Sequence, residues 1–427
     1  MTKHKLYVRI AICILIMLNE VAAASLPAEN KNQLQELYKR DGLPNFFTKI
    51  KNGDPVKVAY LGGSITEQEG WRVYSLEWFR KRYPDAKFSE VNAAIGGTPS
   101  EFGAFRLQDH VLTFHPDLIF VEFAVNDKDA GEEKVIRSME GIVRQVWQTN
   151  SHVDICFVYT IRESYIEPES NGLLPLSVSA AETVARKYRI PSINFGVEVC
   201  RRLKESKLLF KGESKEINGI QVFGPDGTHP YIETGHHIYH EVLRRSFEAM
   251  GAMNRKLKAK THPLGAPIDP YNFSNARMVD IMQLNLNEKR EISKAKEFLS
   301  FERFLPNISK QKKDTEMIVV RFKGRAIGAY DLIGPGGGRV IVEVDGCVKD
   351  TIVRFDKYCT YYRMNYFLID DLENRDHDAI FRVFSEPFNK KAILKETLKE
   401  DFIKYPDKYE EYCWYVGKIL IDGDLTQ

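Results

Sequence analysis

Between residues 56 and about 250, short, largely apolar runs alternate with stretches that repeat apolar residues at helical spacing. The run 56–61 precedes 71–82, where Trp71, Tyr74, Leu76, Trp78 and Phe79 form a broad apolar face. The run 88–93 precedes a predicted helix over 100–112, with Ser100 as N-cap and Glu101 in its first turn. The run 117–125 is nearly continuously apolar after Asp117 except for Glu122 and leads into 132–149; the segments 155–161, 180–188, 190–195 and 235–250 complete the series. Strands that are apolar on both faces need cover on both faces. The pattern therefore predicts an α/β domain built on a parallel sheet with helices on either side.

The pattern then breaks. Residues 254–270 are first basic and then carry Pro263, Pro267 and Pro270, as a linker would. A charged stretch over 288–313 follows, and from Met317 the apolar residues alternate with period two, as in Ile318-Val-Val-Arg-Phe-Lys-Gly324 and 339–346. Turn signals at 334–338 and at Asp345-Gly346 punctuate these segments. A second, smaller, β-sandwich-like domain is expected. The predicted division is a signal peptide over 1–24, the α/β domain over 25–255, a linker over 256–270 and a β-rich domain over 271–427.

The leader is read from Lys3, Lys5 and Arg9, a short apolar stretch over 10–18, and the small residues Ala22-Ala23-Ala24-Ser25 at a cleavage site. It predicts a protein that is secreted or periplasmic, with no membrane span. A net charge of +2 gives no case for nucleic acid as a partner. Without the leader five cysteines remain; Cys347 and Cys359 share a region and are candidates for pairing, and no pair has zinc-site spacing.

Chemistry-bearing residues follow the predicted strands. Ser64 lies in Gly62-Gly63-Ser64-Ile65-Thr66 after the first run, Gly97 in Gly96-Gly97-Thr98 after the second, and Asn126 in Val125-Asn126-Asp127 after the third. The carboxyl ends of parallel strands form the edge where open α/β sheets place their ligands. Asp226-Gly-Thr-His229-Pro sits in a loop before the last helix. A serine hydroxyl becomes a nucleophile when a base takes its proton, which makes His229 the candidate base and Asp226 the group that fixes its tautomer.

The order and content of these motifs resemble the SGNH hydrolase superfamily, also called the GDSL esterases, over roughly residues 56–250. The resemblance implies a flavodoxin-like sheet. It also implies a catalytic set of Ser64 as nucleophile, His229 as base and Asp226 as its partner. The oxyanion hole would comprise the backbone N–H groups of Ser64 and Gly97 and the side-chain amide of Asn126. Gly63 stands where the family usually has an aspartate, a position outside the catalytic set. The tract 102–107 and the run 117–127 look like exported bacterial members with appended β-domains, several of which act on acylated carbohydrates.

The expected function is thus a serine esterase removing a small acyl group, acetyl above all, from an oligo- or polysaccharide through an acyl-enzyme, with no cofactor and no metal. An acyltransferase or a lipase-like esterase would use the same residues, and a non-catalytic glycan-binding protein would keep the fold. Around the site, His236, His237 and His240 are expected to pack on a helix face rather than hold a metal. Glu122 is expected to be satisfied by backbone or Arg106. Trp71, Arg72 and Arg162 flank the site as even candidates for substrate contact. The segment 163–175 is an irregular candidate lid, and Tyr361-Tyr362 are expected in packing rather than on a sugar.

Overall fold

The computed structural model describes residues 34–254, 258–284, 296–312, 317–384 and 386–426. The leader expected over 1–24 lies outside the described residues.

The first domain is a six-stranded sheet in the order β1-β6-β5-β4-β2-β3. Its strands are β1 (Leu37–Tyr38), β2 (Val56–Gly62), β3 (Phe88–Asn92), β4 (Leu118–Glu122), β5 (Asp154–Tyr159) and β6 (Ser192–Asn194). All pairings are parallel except that of β1, an antiparallel edge strand. Counted without β1, the order is that of a flavodoxin-like sheet. The helices are α1 (Pro44–Asn52), α2 (Ser64–Glu67), α3 (Trp71–Arg82), α4 (Ser100–His110), α5 (Glu132–Thr149), α6 (Ile166–Ser170), α7 (Leu176–Lys187), α8 (Gly196–Lys204) and α9 (Gly235–Asn254).

Side chains alternate across a strand, and the core divides accordingly. Val58, Tyr60, Leu118, Phe120 and Val158 point to one face, under Phe46 of α1, Phe79 of α3, Val199 of α8 and Phe247 of α9. Ala59, Leu61, Ile119, Val121 and Phe157 point to the other, under α4, α5 and α7. This is why the central strands β2, β4 and β5 read as nearly continuous apolar runs, while the edge strand β3 exposes Ser89 and Glu90.

The second domain is an eight-stranded antiparallel sheet of β10 (Ala276–Asp280), β11 (Ser309–Gln311), β12 (Ile318–Ile333), β13 (Arg339–Val344), β14 (Cys347–Val353), β15 (Arg363–Ile369), β16 (Arg375–Phe384) and β17 (Trp414–Leu425). The long strand β12 organises it. Its first half pairs with β16, its second half with β15, and its other edge with β17 along most of its length. Register shifts occur between Gly324 and Ala326 and between Tyr330 and Asp331, and such irregularities bend a strand. Residues from strands far apart in the sheet, such as Val279, Val342, Phe367 and Trp414, meet in one core. A small third sheet, β7 (Leu208–Lys211), β8 (Glu216–Ile217) and β9 (Ile220–Gly224), was not anticipated from the sequence and delivers the chain to the Asp226–His229 loop.

The two domains share a core. Helix α4 is covered by the parallel sheet on one side and by Phe273, Met278, Ala326 and Tyr330 on the other. That double burial accounts for the apolar tract 102–107. Phe102 stacks on Tyr366 with ring centroids 4.7 Å apart, and the Tyr366 hydroxyl donates to Glu101 Oε2 at 2.9 Å. Lys134 bridges Glu101 and Asp370 at 2.8 and 3.0 Å. Residues 258–270 are without regular structure yet are pinned, with His262 on Asp154 Oδ1 at 2.8 Å and its ring stacked on Trp147.

Some expectations need correction. The cap of α4 is Pro99 rather than Ser100, which is the first helical residue and makes no side-chain cap. Cys347 is exposed, Cys359 is buried, and both are free thiols. The segment expected as an irregular lid forms a turn over Glu163–Tyr165 and the helix α6. Tyr165 there is buried, with its hydroxyl donating to Ala124 O at 2.9 Å, so the segment is fastened to the domain.

Candidate active site

Strand β2 runs in the middle of the sheet between β3 and β4 and ends at Gly62. Gly63 remains extended (φ −95°, ψ −155°), and Ser64 begins the one-turn helix α2. A strand that breaks at once into a helix leaves the Ser64 side chain at the sheet rim, partly open to solvent. The β2/β4 boundary is also where the strand order reverses, the crevice of a doubly wound sheet.

Three loops converge on Ser64. The first carries the base. Ser64 Oγ lies 2.9 Å from His229 Nε2, and His229 Nδ1 lies 3.0 Å from Asp226 Oδ2. With Nδ1–H donating to the carboxylate, Nε2 is left to accept the serine proton. A spacing of three residues works here because Asp226 caps its own loop: Oδ1 accepts the backbone N–H groups of Thr228 and His229, both at 2.7 Å. Burial raises the Asp226 pKa, but these N–H donors and the His229 ring outweigh it and hold the carboxyl below its ordinary value. The acid therefore stays ionised beside the imidazole.

The second loop holds Gly96 and Gly97. Gly97 has φ +73°, the left-handed region that a side chain disfavours, and a Cβ there would meet nothing within 4 Å. Glycine is thus required by the backbone rather than by crowding. A Cβ on Gly96 would lie 3.5 Å from Ser64 Cβ, which puts this loop against Ser64. The loop is anchored by Glu67, whose Oε2 accepts the Gly96 N–H at 3.0 Å, and by Thr98 Oγ1 donating to Ile95 O at 2.7 Å. Arg106, fully buried, donates to Ala93 O and, at 3.0 Å, to Gly62 O, fastening the β2 and β3 ends together.

The third loop follows β4 and presents Asn126, whose amide occupies the space a Cβ on Gly63 would need. Its neighbour Asp127 is buried and accepts the Ser100 N–H at 2.9 Å. That bond ties the Asn126 loop to the start of α4, just beyond Gly97. Burial, opposed by the Ser100 donor, pushes the Asp127 pKa up to about 7.

The five residues singled out from the sequence, Ser64, Gly97, Asn126, Asp226 and His229, are therefore brought to one rim by separate loops. Other candidates fall elsewhere. Trp71 is fully buried among Tyr60, Phe120 and Phe195, and Arg72 is buried on Thr66 O and Glu90; neither faces a substrate. His236 is buried, accepts the Trp71 N–H at Nδ1 (3.1 Å) and sits 3.2 Å from Gln68 Oε1. Its pKa is pushed down to about 3, chiefly by burial. His237 stacks on Tyr74. Among the described residues no cluster of His, Cys, Asp or Glu could hold a metal ion. Glu122 is satisfied by the hydroxyls of Thr66 and Thr160 rather than by Arg106. Tyr362 packs on Phe298 and Tyr415, whereas Tyr361 is exposed. The anchoring role of Glu67 was missed, since a single glutamate after the serine gives no signal in one sequence.

Residues 60–230 match the model of the GDSL-like lipase/acylhydrolase family. This segment is a GDSL-like lipase/acylhydrolase domain. The protein is accordingly a hydrolase of ester bonds. Among solved structures, the chain is similar over both domains to a two-domain esterase active on acetylated mannans. The TM-score is 0.68 at 20% identity, with 90% of this chain and 96% of that one covered. A mannopentaose co-crystal of a two-domain esterase active on acetylated mannans gives the same score at 19% identity, covering 90% and 94%. The likeness extends the shared fold through the β-domain. No curated protein sequence matches the chain.

Proposed function

We propose that the protein is an exported serine esterase that removes acetyl groups from a plant-type polysaccharide such as mannan or xylan. The observation that carries this reading is the chain of hydrogen bonds from Ser64 through His229 to Asp226, next to two loops that offer oxyanion donors. In the proposed cycle Ser64 Oγ attacks the ester carbonyl carbon while His229 Nε2 takes its proton. The carbonyl oxygen becomes an oxyanion, held by the N–H groups of Ser64 and Gly97 and by the Asn126 amide. Collapse expels the sugar alkoxide, which receives the proton from His229. Water, deprotonated by the same nitrogen, then attacks the acetyl-serine; collapse releases acetic acid, and His229 returns its proton to Ser64 Oγ.

The mannan-active structures of similar two-domain architecture support the substrate class, as does the leader read in the sequence. The test is acetate release from acetylated mannan and acetylated xylan, alongside 4-nitrophenyl esters of increasing chain length. Release of acetate from either polysaccharide, with acetate preferred over octanoate among the small esters, supports the reading. Preference for octanoate with no release from polysaccharide contradicts it.

A further inference from the structure

Under the nucleophile turn lies a carboxyl group for which the acyl-transfer steps have no use. Glu122 ends β4, is 1% exposed, and accepts two hydroxyl hydrogen bonds: Thr66 Oγ1 to Oε2 and Thr160 Oγ1 to Oε1, each at 2.7 Å. No cation is paired with it among the described contacts, and burial raises its pKa despite both donors. Burying a carboxyl group without a cation is unfavourable, whereas an apolar side chain of the same size would fill the volume without that cost. What the apolar residue could not do is hold the two hydroxyls.

Those hydroxyls belong to the two halves of the site. Thr66 stands two residues after Ser64 in α2. Thr160 immediately follows β5, and the chain beyond it reaches the base loop within three residues. The Ile161 N–H donates to the Tyr239 hydroxyl of α9 at 3.1 Å, and the Glu163 N–H donates to Gly227 O at 2.8 Å, between Asp226 and His229. We propose that Glu122 is a positioning residue that sets the Ser64–His229 separation by tying the nucleophile turn to the segment after β5, which is hydrogen-bonded to the base loop. A second tie, from His236 to Trp71 and Gln68, acts further along the chain. Loss of Glu122 therefore leaves the elements joined but lets the Ser64 turn drift. The inference rests on Ser64 and His229 being the nucleophile and base.

The experiment compares Glu122→Leu, Glu122→Gln and Thr160→Val with the native enzyme on 4-nitrophenyl acetate, with Ser64→Ala as control. Misplacement by about 1 Å costs on the order of 100-fold, so Glu122→Leu should lose about 10–100-fold in kcat with KM within about threefold. The Gln amide can donate to one threonine and accept from the other, so Glu122→Gln should regain about tenfold or more over the Leu variant. Thr160→Val should lower kcat by about 3–10-fold, and should add little in the Glu122→Leu background because the same link is already cut. A folded Glu122→Leu enzyme with native kcat overturns the proposal. So does a Gln variant as impaired as the Leu variant, which would assign the effect to charge. If Glu122→Leu does not fold, Thr160→Val decides: native kcat overturns the link, and the stated loss upholds it. An active Ser64→Ala protein would remove the underlying catalytic reading, while an inactive one beside a native-like Glu122→Leu enzyme removes this inference alone.

Discussion

A Cβ on Gly63 would lie 2.0 Å from Asn126 Oδ1, so the Asn126 amide is seated directly on the backbone of the nucleophile turn. The absence of a side chain at Gly63 and the placing of the Asn126 amide, the proposed oxyanion donor, are therefore one structural fact. Gly63→Ala must push the Asn126 side chain away. It is expected to lower kcat about as far as Asn126→Ala, on the order of 10²–10³-fold for the loss of one oxyanion donor. The double variant should be no worse than either single one, and kinetics on 4-nitrophenyl acetate check this. Additive losses would separate Gly63 from the oxyanion hole.

Asp226 is half exposed but holds its loop through two backbone N–H groups as well as the His229 ring. Asp226→Asn keeps an oxygen for the backbone and loses the charge that balances an imidazolium. The expected fall in kcat is about 10²–10⁴-fold with an unchanged melting temperature. A matching loss of stability would show that the residue's work is structural.

Asp127 gives a pH prediction for stability. Its folded pKa, about 7, lies above the ordinary carboxylate value because burial disfavours the charge. The folded state thus binds this proton more tightly than the unfolded state, so its contribution is fully present at low pH. That contribution is lost as the pH rises from about 4 to about 7. Glu169, pushed up to about 8, and Asp422, to about 7, act in the same direction. Asp127→Asn retains an acceptor for the Ser100 N–H and should flatten part of this slope, gaining on the order of 1–3 kcal/mol over native at pH 8. Urea unfolding at pH 5 and pH 8 measures it. A slope unchanged by the substitution would place the titration elsewhere.

The sequence disclosed most of the first domain because parallel strands buried on both faces leave continuous apolar runs, and because Ser64, Gly97 and Asn126 each follow one of them. It disclosed little about how the loops are held. Glu67, Thr66 and Thr160 act through contacts between residues 29 to 56 apart in sequence, and nothing local marks them. Trp71 was misjudged for a related reason: a tryptophan near a predicted site looks accessible until the α3 face is seen packed on Phe120 and Phe195. The small sheet of β7, β8 and β9 was missed because strands of two to five residues are too short to show a period.

The domain seam was also illegible: the tract 102–107 resembles members with an appended β-domain, but nothing in it says that its outer face packs on that domain. Phe102 is fully buried between the sheet and Tyr366. Phe102→Ala is expected to cost about 3–5 kcal/mol by differential scanning calorimetry or urea unfolding. Because α4 starts just beyond Gly97, kcat should fall as well. A stable variant with native kcat would mean that the β-domain is docked elsewhere.

The most direct test of the central claim is to quench the enzyme during turnover of 4-nitrophenyl acetate, digest it and locate the acetyl group by mass spectrometry. The account predicts one acetyl group on Ser64, accumulating further in Asp226→Asn if deacylation is slowed, and none on that peptide in Ser64→Ala. An acetyl group on another residue, or Ser64→Ala protein that turns over at the native rate, would contradict it.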